Sequence, residues 1–186
     1  TVALAGSGTV QKTGSGAMLL EGSGALLTGT LNVVQGTVLL GTSFAPSTTA
    51  AGGPVIVGTG GVVGAGAWVS SFKPAEISVG KNVSLQSGAQ LGTWEIDQGI
   101  RLNLAGSVTV QPAANSTTAV VKLGGYVGTV VSGLLQSSSA GSTLTLANAN
   151  VGARGLLAVL SPIDASIGTV NVDGAGLIVS ALPSSP

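Results

Sequence analysis

Glu95 and Asp97 stand two residues apart, with Trp94 just before them and Arg101 just after. In an extended strand such residues point to one side, about 7 Å apart. Two carboxylates at that spacing are donors a Ca²⁺ ion takes, or the acid and base of a glycosidase. Trp94, and Trp68 further back, would add the flat aromatic platform on which a sugar ring stacks. Against this stands a solvated outer face whose charge Arg101 neutralises. That is the simpler reading, because calcium takes about six or more oxygens and no Asp-rich loop accompanies the pair. The sequence therefore assigns no catalytic residue, no metal and no cofactor. Trp68, Trp94, Glu95, Asp97 and Arg101 stay together as the candidate ligand-binding set, with a carbohydrate as the ligand.

Other chemistry is limited by what the chain lacks. It has no histidine and no cysteine, which excludes Ser-His-Asp and Cys-His nucleophiles, imidazole and thiolate metal sites, and disulfides. Ser70 and Lys73 form Ser-x-x-Lys, as do Ser78 and Lys81, and Lys12-Thr13-Gly14 forms Lys-Thr-Gly. Together they imitate a penicillin-binding serine enzyme. However, the order is reversed, and Ser-x-x-Lys needs a helical turn where this sequence reads as loop or strand. Asn82-Val83-Ser84 and Asn115-Ser116-Thr117 match the glycan-acceptor triplet, a pattern too short to carry weight. The sequence points to a protein that is not an enzyme.

Charge narrows the partners. Six basic and six acidic residues cancel, and Gly22 to Phe72 carries none. Nucleic-acid binding needs a basic stripe, which is missing. Weak colloidal repulsion favours self-association. Hydrophobic residues make up 44%, enough to fold, but aromatics are only 3%, so the core must be Val, Leu, Ile and Ala. Pro54 to Phe72 is long enough to cross a membrane, yet its glycines make it a poor helix. Val55-Ile56-Val57 and Val62-Val63 read instead as two short strands. The chain is not expected to span a membrane. No signal peptide is visible at Thr1, so it was removed or these residues belong to a longer polypeptide.

The elements that must position any site follow from a repeat. Gly6-Ser7-Gly8, Gly14-Ser15-Gly16 and Gly22-Ser23-Gly24 recur every eight residues, with five-residue runs between them. Each run suits one short strand, each glycine pair a turn, and a strand-turn unit at fixed step must stack on its neighbours. Three eight-residue sides make a rung of about 24 residues, within the range of solenoid repeats. Short strands are read at Leu31 to Val34, Thr37 to Leu40, Ile77 to Val79, Val83 to Leu85, Trp94 to Ile96, Ile100 to Leu104, Ser107 to Val110 and Ala119 to Leu123. They continue at Val127 to Val131, Thr143 to Leu146, Leu156 to Leu160, Gly168 to Val172 and Leu177 to Val179. Several alternate, as in Ile100-Arg101-Leu102-Asn103-Leu104, with aliphatics inward. Asp173-Gly174 alone has hairpin chemistry. Ser43 to Pro54 reads as a loop and Trp68 to Pro74 as an aromatic patch. The expected fold is all-β: a right-handed parallel β-helix, or β-solenoid, with short strands and irregular loops. Residues 1–181 form one domain and 182–186 a flexible tail.

The segment Gly6 to Gly41 resembles the autotransporter-associated β-strand repeat, or passenger-associated transport repeat. That pattern runs GSGTLxKTGxGTLxL, then GxLxVxxGTLxLG. The matching residues are Gly6-Ser7-Gly8-Thr9-Val10-Gln11-Lys12-Thr13-Gly14-Ser15-Gly16, Leu31-Asn32-Val33 and Gly36-Thr37-Val38-Leu39-Leu40-Gly41; Ser23 to Thr30 lacks the Asn and Tyr frequent at that link. The resemblance implies a parallel β-helix exported to the bacterial surface or secreted, as a fibre, stalk or adhesin passenger segment. Its partners would be copies of itself, neighbouring segments of a longer chain, or surface glycans.

Overall fold

The computed structural model describes residues 6–20, 27–40, 55–65, 76–93, 101–124, 128–149 and 155–180. Among them are sixteen strands and no helix. The strands stack in parallel on three faces to make a β-solenoid. Face one holds β1 (Val10–Lys12), the first half of β3 (Leu31–Leu40) and of β4 (Val55–Ala65), β6 (Val83–Gln86), β9 (Val108–Gln111) and β12 (Leu135–Ser137). On face two lie β2 (Ala17–Leu20), the second halves of β3 and β4, β7 (Gln90–Thr93), β10 (Thr118–Gly124), β13 (Ser142–Asn148) and β15 (Ile167–Asp173). Face three is built from β5 (Glu76–Val79), β8 (Arg101–Leu104), β11 (Thr129–Val131), β14 (Leu156–Val159) and β16 (Gly176–Val179). About four turns have all three sides described. The period drifts: Val83 pairs with Val108, 25 residues on, Val108 with Leu135, 27 on, and Leu135 bridges Ile163, 28 on.

Alternation makes the core. In Arg101-Leu102-Asn103-Leu104 the two leucines are buried and the polar residues face out, and Val108–Gln111 and Ser142–Asn148 do the same. Parallel register then stacks like on like. Leu104, Val131 and Val159 form one inward column, and Val121 and Leu146 another; all are at most 2% exposed. Burying such a side chain is worth about 1.5–3 kcal/mol, and the narrow tube leaves no room for larger ones. Among the described residues a small interior gap of about 10 Å³ is lined by Leu85, Leu91, Val121, Leu144 and Leu146 among others. At roughly one water's probe volume and wholly apolar, it holds no ligand.

Several expectations needed correction. Leu31 to Val34 and Thr37 to Leu40 are one strand that turns a corner at Gly36 (φ 79°). The two pieces expected within Val55 to Val63 are likewise one strand, β4. This continuity makes faces one and two a single eleven-stranded sheet. β7 and β12 were not anticipated, since Gln90-Leu91-Gly92-Thr93 and Leu135-Gln136-Ser137 carry little strand propensity. Of the run Ala25 to Gly29, residues 27–29 are described, and among them Leu27 makes a bridge to Gly6. Asp173-Gly174 closes a corner between β15 and β16, which lie on different faces, so no hairpin forms. The expected loop at Ser43 to Pro54, the patch at Trp68 to Pro74, the strand at Trp94 to Ile96 and the tail lie outside the described residues. Among those described, no helix is long and apolar enough to cross a membrane.

Candidate functional site

Of the five residues singled out for ligand binding, Trp68, Trp94, Glu95 and Asp97 lie outside the described residues. Arg101 is placed: exposed, it opens β8 in register with Glu76. Among the described residues no three Asp or Glu side chains gather closely enough to share an ion. Ser70 and Lys73 lie outside the described residues, while Ser78, Lys81 and Lys12 are built into the framework. Ser78 accepts a hydrogen bond on Oγ from Asn103 Nδ2 at 3.2 Å. Lys12 Nζ donates to the carbonyls of Thr13, Gly14 and Gln35 at 2.6–3.2 Å.

Lys81 belongs to a column of corner residues between faces three and one. Gly8, Gly29, Lys81, Gly106, Gly133 and Ser161 each sit two residues before a face-one position in register. At three of these corners two successive N–H groups share one carbonyl of an earlier turn: Thr28 and Gly29 on Gly6, Ala105 and Gly106 on Val79, Ser132 and Gly133 on Leu104. The second residue is then pressed so close that a Cβ would lie 1.7 Å from Gly8 O at position 29, 2.3 Å from Lys81 O at 106, and 2.1 Å from Gly106 O at 133. Where a side chain does occupy the column, the contact changes. At Ser161 the sharing is gone, Leu160 N alone bonding Val131 O, and Ser161 Oγ donates to Gly133 O. Lys81 is only 2% exposed and its Nζ reaches Gly29 O, two turns away, at 3.1 Å. Desolvation holds its ammonium pKa below the ordinary 10.5.

Two surface features remain. One is a cleft of about 320 Å³ at the corner between faces one and two, lined by Thr59, Gln86, Ser87, Gln111, Pro112, Ala113 and Ala114. Gln86 and Gln111 pair in register on β6 and β9. Their 25-residue separation hid this from the sequence, where only a known period would have matched them. The other is the last turn. Val172 and Val179 continue the inward columns through Leu146 and Val159, yet they are 46% and 50% exposed. Among the described residues β15 and β16 pair on one edge only, with β13 and β14, and at the opposite end β1 and β2 pair only with β3. Comparison with family models, curated proteins and solved structures gives no match.

Proposed function

We propose that this chain is a non-enzymatic structural module of a bacterial surface or secreted protein, a fibre, stalk or passenger segment that extends by end-to-end stacking. The observation that carries the reading is the last turn, where Val172 and Val179 stand open in columns that are buried at Val121 and Leu146 and at Leu104, Val131 and Val159. The occupant that fits is another solenoid turn, from a second copy or from a neighbouring segment of a longer chain, and the second copy is the one a purified sample can test. In a parallel ladder the free edge of β15 is complementary to that of β2, which lies on the same face, so the contact is head-to-tail and does not close on itself. A net charge of zero does not oppose it. The repeat resemblance of Gly6 to Gly41 supports an exported solenoid. Sedimentation velocity over a concentration series tests the reading. The chain should grow in mass with concentration, and Val172→Lys with Val179→Lys should hold it as a monomer. A wild-type monomer throughout would refute the stacking.

A further inference from the structure

We propose that the corner cleft beside Gln86 and Gln111 binds a neutral oligosaccharide. None of its lining residues is charged, so nothing in it neutralises an anion or a cation. What it offers is two primary amides, the hydroxyls of Thr59 and Ser87, and an apolar wall of Pro112, Ala113 and Ala114. Sugar hydroxyls both donate and accept, as side-chain amides do, while the C–H face of a pyranose packs on an apolar wall. A peptide would need a free sheet edge or a deep anchor pocket. β6, at the floor, is paired on both edges, by β4 and β9.

The cleft is also built in advance. Gln111 Nε2 donates to Ser84 Oγ at 2.7 Å, which fixes that amide. Ser87 N donates to Gln111 O at 3.0 Å. Ser87 Oγ accepts from Val120 N at 3.1 Å, leaving its own hydrogen for a ligand. The loop after β9 is closed by Ser116 N donating to Ala113 O at 3.0 Å and Ala113 N to Thr118 O at 3.2 Å. Groups held in this way lose little freedom on binding. The volume stands at the low end of small-molecule sites, about 300–1,000 Å³, which suits a short stretch of a glycan.

Titration calorimetry and saturation-transfer NMR on the 186-residue chain, with tri-N-acetylchitotriose, cellotetraose, maltotetraose and mannotetraose as probes, test the site. At least one should bind. Gln86→Ala should weaken it by about tenfold, the loss of a hydrogen bond or two. Ala114→Trp should abolish it by filling the cleft, and Thr169→Ala, on β15 in the last turn and outside the cleft lining, should change nothing; circular dichroism confirms each variant is folded. No binding by any probe at millimolar concentration overturns the proposal, as does binding that survives both cleft variants.

Discussion

Gly133→Ala tests the corner column directly. The new Cβ would lie 2.1 Å from Gly106 O, against 3.4 Å or more for ordinary contact, so the turn must open by more than an ångström. Opening strains the two hydrogen bonds at 3.0 and 3.2 Å that Ser132 and Gly133 send to Leu104 O. Overpacking costs about 1–3 kcal/mol and each of the two weakened bonds about 0.5–1.5, so the expected loss is about 2–6 kcal/mol. With a urea slope of about 2 kcal/mol/M, the midpoint should fall by about 1–3 M. Gly8→Ala is the control. It stands in the same column with nothing within 4 Å of its Cβ, and should stay within about 0.5 kcal/mol of wild type. Equal midpoints for wild type, Gly133→Ala and Gly8→Ala would refute the steric account of the corner.

Other consequences are open to measurement. Leu144→Ala, at a 1% exposed position, should cost about 2–5 kcal/mol in the same urea assay; a loss under about 1 kcal/mol would show that the tube collapses around the gap. Because burial lowers the Lys81 pKa, the unfolded chain holds that proton more tightly. Stability should therefore rise as pH climbs through the folded-state pKa toward 10.5. Thermal unfolding of Lys81→Met against wild type should show that rise flattened, and parallel curves would contradict the burial. Asp164 is the opposite case. Hydrogen bonds from the Ser166 side chain and backbone lower its carboxyl pKa. Its contribution is thus present above pH 3.8 and lost as pH falls through the lower folded-state value, and Asp164→Asn should remove that part of the acid transition.

The parallel solenoid was legible because its signals are local. Arg101-Leu102-Asn103-Leu104 states its own inside and outside, and three Gly-Ser-Gly triplets state a step. Register was not legible, since the period drifts from 25 to 28 residues between Val83 and Ile163 and the corner loops absorb the difference. Gln86 beside Gln111, and Lys81 reaching Gly29, follow only from register. Strand ends misled for a related reason. Gln35-Gly36 has turn chemistry, and a turn does occur there, but the ladder resumes past it after a shift of register between Val33 and Gln35. The carboxylate set centred on Glu95 was read from spacing alone, and of it only Arg101 falls among the described residues.

The central claim is that the open last turn is an axial joint. Negative-stain electron microscopy of the purified chain over a concentration series tests it most directly. The account predicts unbranched filaments one solenoid wide that lengthen with concentration and vanish in Val172→Lys with Val179→Lys. Dispersed single rods at every concentration, indistinguishable from that variant, would contradict it.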